Sequence, residues 1–176
     1  DSVRVLPPAD SDATTVCWQM AMENMDTPTA LILSRQNVMS LPEGTDYQQT
    51  RKGAYIVTGS DEQYDVILVA SGSEVSTCVE GAELLRKDGV KVRVVSAPSE
   101  GLFRRQSKEY QEQILPRDAK IFGLTAGLPV TLEGLVGANG KVYGLNSFGF
   151  SAPFKVLDEK LGFNPENVYK QVKAFL

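Results

Sequence analysis

The sequence predicts an α/β fold in which a mostly parallel, doubly wound five-stranded sheet follows a separate βαβ unit. Short apolar strands alternate with helical segments along nearly the whole chain, and this alternation is typical of parallel sheets with helices on both faces. A polar stretch that contains Pro42 and Gly44, with neither a helical nor a strand period, divides the two parts. Such a stretch indicates an interdomain linker.

The βαβ unit is predicted from three elements. They are a strand at residues 3–6 stopped by Pro7 and Pro8, a helix at 13–25 capped by Asp10 or Ser11, and a strand at 29–34. The run from Ala30 to Leu33 is apolar throughout, which indicates a strand buried on both faces of a sheet. A Met-rich helical face with Trp18 is predicted to be a packing surface. Because so small a unit cannot bury its own sheet, its exposed face should be apolar.

The second part is predicted to begin near Gly53. Its strands are expected at residues 54–58, 65–70, 91–95, 120–124 and 141–145, with the first as the candidate antiparallel edge and residues 59–62 as the turn after it. Helices are expected at residues 74–87, 102–106, 108–114, 129–136, 151–161 and 165–175. Ser73, Ser151 and Asn164 are the expected amino-terminal caps of three of these helices.

Composition and charge exclude several functions. The 18 basic and 22 acidic residues give a net charge of -4 and are mixed along the chain, so nothing indicates a nucleic-acid partner. No apolar run approaches the roughly 20 residues that cross a bilayer, so no membrane partner is expected. Cys17 and Cys78 lie among apolar helical positions and are expected to be reduced core thiols, which fits a cytoplasmic location. The chain has no histidine, so its residues offer no imidazole for proton transfer or metal binding.

Arg35 is the residue with the clearest chemical potential. It follows the strand predicted at residues 29–34, and ligands of open α/β sheets lie beyond the carboxyl ends of the strands. A guanidinium group there matches a phosphate or carboxylate with two parallel hydrogen bonds and stays charged at any ordinary pH. The alternative is a surface arginine paired with an acidic side chain.

Two other junctions are weaker candidates for a site. The sequence Ser71-Gly72-Ser73 precedes a helix whose free N–H groups could hold an anion, but it lacks the spacing of a dinucleotide motif and the lysine of a P-loop. A tight turn with a capping serine is the preferred interpretation. The aromatic residues Phe148 and Phe150 are expected to be packing or subunit contacts.

Four motifs in register resemble the carboxyl-terminal third of a transketolase. They are Ser34-Arg35-Gln36, Ser71-Gly72-Ser73-Glu74-Val75, Val94-Val95-Ser96-Ala97-Pro98-Ser99 and Phe148-Gly149-Phe150-Ser151-Ala152-Pro153. The resemblance covers nearly the whole chain and implies that the chain is part of a longer, three-domain protein. It further implies that residues 1–36 are the terminal βαβ of the pyrimidine-binding domain, residues 37–52 a linker, and residues 53–176 the transketolase C-terminal domain.

The resemblance also implies a function. Transketolases transfer a two-carbon ketol unit from a ketose phosphate to an aldose phosphate with thiamine diphosphate and magnesium, which the missing N-terminal domains would hold in a homodimer. Arg35 falls on the family's arginine that resembles a ligand for the sugar phosphate, and Ser34 would orient that arginine, touch the phosphate, or only end the strand. This chain alone is therefore expected to bind no cofactor and to be inactive.

The sequence departs from the family at three places, where it has Pro7, Thr125 and Asn146-Ser147. None of them bears on Arg35, but they leave open the subunit contacts and the preferred sugar. Two alternatives also stay open. One is another thiamine-diphosphate enzyme, of the deoxyxylulose-phosphate synthase or dihydroxyacetone synthase type, and the other is a stand-alone dimerisation or regulatory binding domain.

Overall fold

A computed structural model of the protein describes residues 2–59 and 63–176. Within these residues a βαβ unit precedes a larger α/β domain, as the sequence predicts. Beyond Gly59, the turn predicted at residues 59–62 lies outside the described residues. No helix in the described part of the chain is long and apolar enough to cross a membrane.

The βαβ unit holds a two-stranded parallel sheet and one helix. Its elements are β1 (Arg4–Leu6), α1 (Ser11–Glu23) and β2 (Thr29–Leu31). The two strands pair in register, with Leu6 opposite Leu31. The buried residues Val16, Cys17 and Met20 of α1 pack on Leu6, so one side of the unit has a small core of its own.

The predicted length and burial of the second strand are wrong. The strand β2 ends at Leu31 rather than at residue 34, and its three residues are half-buried. Ile32 and Leu33 are exposed although they are apolar. The reason is that a two-stranded sheet with a single helix covers only one face, so a continuous apolar run does not become a strand buried on both faces.

Outside this small core, much of the surface of the βαβ unit is apolar and exposed, as predicted from the size of the unit. Its exposed hydrophobic side chains are Val3, Val5, Trp18, Met22, Met25, Ile32 and Leu33. The prediction that the Met-rich face with Trp18 packs is confirmed only for Met20, which is buried. The remaining methionines of this face point away from the small core.

The larger domain is built on a five-stranded sheet. Its strands are β3 (Tyr55–Thr58), β4 (Val66–Ala70), β5 (Val92–Ser96), β6 (Ile121–Leu124) and β7 (Lys141–Tyr143). They lie in the order β3-β5-β4-β6-β7, and β3 pairs antiparallel with β5 at one edge while the other neighbours are parallel. The predicted mostly parallel, five-stranded sheet with an antiparallel edge strand at residues 54–58 is confirmed.

Helices cover both faces of this sheet. They are α2 (Glu74–Lys87), α3 (Glu100–Arg104), α4 (Lys108–Ile114), α5 (Val130–Val136), α6 (Phe154–Leu161) and α7 (Pro165–Phe175). The fully buried central strand β4 shows the arrangement, because its side chains alternate between two cores. Leu68 packs on the side of α2 and α7, whereas Ile67 packs on the side of α3, α4 and α5.

The structure shows which of the predicted capping residues cap a helix. Asp10 caps α1 by accepting a hydrogen bond from the Ala13 amide at 2.9 Å, and Asn164 caps α7 by accepting one from the Asn167 amide at 2.9 Å. Both predictions are confirmed. Ser73 is not a cap, because its backbone is already helical and its hydroxyl donates to Glu74 instead. Ser151 is not a cap either, since α6 begins only after Pro153.

The polar stretch between the two parts contains a regular element that the sequence does not predict, a 3-10 helix at Tyr47–Lys52. Arg51 on this helix makes a two-pronged ion pair with Glu23 of α1, with nitrogen–oxygen distances of 2.6 and 3.1 Å. The hydrogen bond from Arg51 lowers the pKa of the Glu23 carboxyl. The 3-10 helix is therefore bound to the βαβ unit along one side.

Gly53 ends the 3-10 helix at the point where the chain enters β3, and it tolerates no side chain. Its φ is +86°, and a Cβ atom there would overlap the carbonyl oxygen of Ser99 and the amide nitrogen of Phe103. We expect Gly53→Ala to lower the free energy of unfolding by about 3–5 kcal/mol, measured by urea denaturation.

Gly44→Ala is the matched control for this substitution. Gly44 has nearly the same φ, +87°, but no atom lies within 4 Å of the added Cβ. It should lose only about 1 kcal/mol, which is the cost of the left-handed backbone itself. Equal losses in the two variants would show that backbone strain, and not the close approach to Ser99, explains Gly53.

Candidate functional site

The candidate site is the loop of residues 32–41, here called the Arg35 loop, which leaves the end of β2. Arg35 and Ser34 are both exposed, three to four residues beyond the strand rather than directly at its end. The Ser34 hydroxyl donates a hydrogen bond to the Gln36 carbonyl oxygen at 2.9 Å. Ser34 thus shapes the turn and does not bond the arginine.

The guanidinium of Arg35 forms no hydrogen bond or ion pair with any side chain of residues 2–59 and 63–176. The alternative interpretation, a surface arginine paired with an acid, is therefore not what the described residues show. Other exposed arginines do carry such pairs, for example Arg104 with Glu100 and Arg117 with Glu112. Arg35 keeps all five of its N–H donors available for a ligand.

The two ends of the Arg35 loop are held by backbone groups. At the start, the Ile32 amide donates to the Leu6 carbonyl oxygen at 3.0 Å and extends the β1–β2 pairing. At the end, the amide of the buried residue Leu41 donates to the Asp10 carboxylate at 2.9 Å. The exposed middle of the loop thus lies between two fixed points.

A cleft of about 360 Å³ separates the Arg35 loop from the beginning of α1. Its walls are Pro8, Asp10, Ser11 and Thr14 on the α1 side and Leu33, Ser34, Gln36, Asn37 and Val38 on the loop side. The hydroxyls and amides of this lining are small neutral donors and acceptors. They suit a polyhydroxylated ligand better than an apolar one, and among the described residues that line this cleft there is no cation, Arg35 lying outside the lining.

A second cleft, of about 850 Å³, lies on the other side of the same loop against the larger domain. Gln36 to Met39 form one wall, and the first turns of α2, Ala126, the helix α6 and the start of α7 form the rest. Its lining includes Glu74, whose pKa is raised by burial and, to a smaller extent, by the charge of Asp158, while the hydrogen bond from Ser73 opposes the shift. Burial raises the pKa of Asp158 as well.

A third cleft, of about 730 Å³, separates the βαβ unit from the carboxyl ends of the main sheet. It opens between Ser71 and Thr125, which follow β4 and β6, at the point where the strand order of the sheet reverses. Its charged lining combines Arg4 and Arg105 with Asp26 and Glu100, so its charges select neither anions nor cations.

The glycine junction Ser71-Gly72-Ser73 has a structural role at the edge of this third cleft. Gly72 has a φ of +63°, and its amide donates to the Pro7 carbonyl oxygen at 3.1 Å. This bond joins the end of β4 to the turn after β1. The preferred interpretation of a tight turn is confirmed, although the capping serine is not.

The two aromatic residues of the late motif do not pack inside the chain. Phe148 is 97% exposed and Phe150 is also exposed. Phe150 contacts one neighbouring charge, the Lys160 amine at 4.3 Å from its ring centre. The packing interpretation is therefore wrong for the described residues, and the subunit-contact interpretation stays a prediction.

The two cysteines are free, buried thiols, as predicted. Burial raises the pKa of Cys17 to about 11 and that of Cys78 still further. Both thiols stay protonated near neutral pH, so neither is a nucleophile or a metal ligand there. Among residues 2–59 and 63–176, no group of three or more Asp, Glu, Cys or His side chains converges to hold a metal ion.

Comparison with known proteins identifies the class of the larger domain. Residues 53–164 match the family model of the transketolase-like C-terminal domain. The transketolase of Staphylococcus epidermidis is 44% identical over 176 residues, which cover 98% of this chain and 27% of that protein. The chain thus spans about a quarter of the length of the curated relatives that it matches.

Solved structures agree with this assignment along almost the whole chain. The transketolase of Leishmania mexicana superposes with a TM-score of 0.91 at 33% identity, covering 99% of this chain and 25% of that one. A transketolase of Pichia stipitis, solved in complex with sedoheptulose 7-phosphate, superposes with a TM-score of 0.91 at 32% identity and the same two coverages. The chain belongs to the transketolase family, as its four motifs indicate.

The raised pKa of Glu74 predicts a pH-dependent stability. The pKa of this carboxyl in the folded chain lies above its ordinary value of 4.5, so the folded chain holds the proton more tightly than the unfolded chain. Stability therefore falls as the pH rises above about 4.5. We expect Glu74→Gln to be more stable than the unchanged chain at pH 7, with the difference shrinking toward pH 4, as measured by urea unfolding at both pH values.

Glu80→Gln, on the exposed face of the same helix and in the same cleft, is the control for removing a charge from α2. It should not reproduce the pH-dependent gain of Glu74→Gln. A difference for Glu74→Gln that is the same at both pH values, or that grows as the pH falls, would contradict the assigned cause.

Proposed function

We propose that this chain is the carboxyl-terminal part of a transketolase that transfers a two-carbon ketol unit from a ketose phosphate to an aldose phosphate. The observation that carries this proposal is Arg35. It is an exposed guanidinium with no partner among the described residues, held on a loop at the end of the β1–β2 sheet. The family and the complex of the Pichia stipitis enzyme with a sugar phosphate support the same conclusion.

In this proposal Arg35 binds the phosphate at the far end of the sugar. A guanidinium presents two parallel N–H donors to phosphate oxygens and stays charged throughout the working pH range. The phosphate does not react, but binding it holds the ketol end of the sugar in place. The binding energy is therefore used to orient the substrate. Ser34 supports this task by keeping the turn closed through its bond to Gln36.

Thiamine diphosphate and magnesium belong to the proposal for the full-length enzyme. The described residues do not fit a metal site, because no set of metal-ligating side chains converges in them. Thiamine diphosphate supplies carbanion stabilisation when it is bound, and this chain supplies substrate orientation. We expect the chain alone to bind neither group and to be inactive.

The partners of the chain follow from its open apolar surface. We infer that the exposed hydrophobic face of the βαβ unit, with Trp18 and Met22, is covered by the N-terminal domains of the same enzyme. A homodimer and a cytoplasmic location complete the proposal. The exposed Phe148 is a candidate for contact with the second subunit.

The test of this function is Arg35→Ala in the full-length enzyme. It should raise KM for phosphorylated sugars about tenfold or more, because a charge-assisted pair is lost. KM for unphosphorylated acceptors should change much less. Steady-state kinetics with paired phosphorylated and unphosphorylated substrates measures both values.

Arg117→Ala is the control, because Arg117 is also exposed but lies in the larger domain, before the amino-terminal end of β6. It should leave both KM values unchanged. If Arg35→Ala weakens both kinds of substrate equally, the assignment of Arg35 to the phosphate is wrong.

A further inference from the structure

The central residues of the Arg35 loop belong to no helix or strand, so regular secondary structure does not fix the position of Arg35. Within the described residues, the one side-chain bond inside the loop is the short Ser34–Gln36 contact. An exposed loop of this kind can adopt many conformations. A ligand that binds only one of them binds more weakly, because the loop loses conformational entropy on binding. The position of Arg35 must therefore be set from outside the loop.

Asp10 is the residue that does so. The residue is 2% exposed, and its carboxylate accepts three hydrogen bonds. One oxygen accepts from the Ala13 amide at 2.9 Å, and the other accepts from the Leu41 amide at 2.9 Å and from the Tyr47 hydroxyl at 2.7 Å. A buried carboxylate without such donors is costly, so these three bonds are strongly favoured.

The two oxygens have different tasks. The bond to Ala13 is an ordinary helix cap and would be complete by itself. The second oxygen bonds nothing in α1, and both of its donors, Leu41 and Tyr47, come from the chain after Arg35. The helix cap therefore does not explain why this carboxylate is buried.

Tyr47 is suited to hold this second oxygen at all working pH values. Burial, together with the hydrogen bond to Asp10 and its charge, raises the pKa of the phenol well above the usual range. The phenol stays protonated and keeps donating. Its ring packs against hydrophobic residues of both the βαβ unit and the larger domain, so the hydroxyl is fixed in place.

We propose that Asp10 and Tyr47 are positioning residues that fix the end of the Arg35 loop at Leu41 and so place the guanidinium for the substrate phosphate. This inference rests on the proposed function. The loop is anchored at Leu6 by Ile32 and at Asp10 by Leu41, and the second anchor is the one that side chains supply. Displacing a binding group by about 1 Å can cost up to roughly 100-fold in an enzymatic rate.

The experiment uses Tyr47→Phe and Asp10→Asn in the full-length enzyme. Tyr47→Phe removes one donor and leaves the cap of α1 and the Leu41 bond in place. Asp10→Asn keeps an oxygen for the cap, but its amide nitrogen cannot accept from Leu41 or Tyr47. We expect KM for phosphorylated sugars to rise about threefold or more in Tyr47→Phe and about tenfold in Asp10→Asn, from hydrogen-bond losses of ordinary size.

A double variant separates positioning from a general structural effect. In Tyr47→Phe combined with Arg35→Ala, KM for phosphorylated sugars should equal that of Arg35→Ala alone, because there is no longer a guanidinium to place. KM for unphosphorylated sugars should stay unchanged in Tyr47→Phe. Because Tyr47→Phe is a mild change, it keeps the test valid if Asp10→Asn does not fold.

Asp46→Asn is the matched control. Asp46 accepts hydrogen bonds from the Gln48 amide and the Gln49 side chain at the start of the same 3-10 helix, without contacting Asp10. It should leave KM for phosphorylated sugars unchanged. The proposal is overturned if Tyr47→Phe affects both kinds of substrate equally, if its effect adds to that of Arg35→Ala, or if Asp46→Asn does the same as Tyr47→Phe.

Failure of the proposed function gives a different result. In that case Arg35→Ala itself shows no preference for phosphorylated substrates. A phosphate-specific loss in Arg35→Ala with no loss in Tyr47→Phe and Asp10→Asn would overturn only the positioning role.

Discussion

The structure depends on one buried carboxylate at the end of the first strand. Asp10 follows β1 after a short Pro-Pro-Ala turn and is enclosed by α1, the Arg35 loop and the 3-10 helix. Because a desolvated carboxylate must be surrounded by donors, each of these three segments is held where it can provide one. The 3-10 helix is in turn hydrogen-bonded to the larger domain through Gly53. The Gly53 amide donates to the Thr50 carbonyl oxygen, and the Gly53 carbonyl oxygen accepts from the amide of Ser99, which caps α3.

The titratable side chains near this carboxylate include two tyrosines and a cysteine with raised pKa values. Burial raises the pKa of both Tyr47 and Cys17, so both side chains stay protonated and neutral near neutral pH. Burial likewise raises the pKa of Tyr55, which lies nearby at the start of β3. Tyr47 therefore keeps donating its hydrogen bond to Asp10 over a wide range of pH. The contact between the 3-10 helix and the βαβ unit through Tyr47 and Asp10 is thus kept over this pH range.

Most of the larger domain could be predicted from sequence because its signals are local and agree with each other. The apolar run of β4 is buried on both faces, and Asn164 with Pro165 begins α7 as the local rules require. The βαβ unit was harder to predict for a physical reason. Ile32 and Leu33 have the composition of strand residues, but no second layer of the described residues covers them, so β2 stops at Leu31.

The candidate site was predictable only in part. The family motif and the principle of ligands at strand ends pointed to Arg35, and the structure leaves its guanidinium available. The second task of Asp10 could not be predicted, because its partners Leu41 and Tyr47 lie about 30 to 40 residues away in a stretch without periodicity. Local sequence rules predict that an aspartate before a helix caps that helix. They consider only neighbouring residues, so they cannot predict a hydrogen bond from a donor so far along the chain.

Hydrogen exchange of the Leu41 amide, followed by NMR in the 176-residue chain, tests the central role of Asp10 most directly. If the carboxylate holds the loop, this amide should exchange as slowly as the Ala13 amide, which bonds the other oxygen of the same side chain. Exchange of Leu41 at the rate of an unstructured peptide, with Ala13 still protected, would show that Asp10 only caps α1 and that the segment after Arg35 is a free linker.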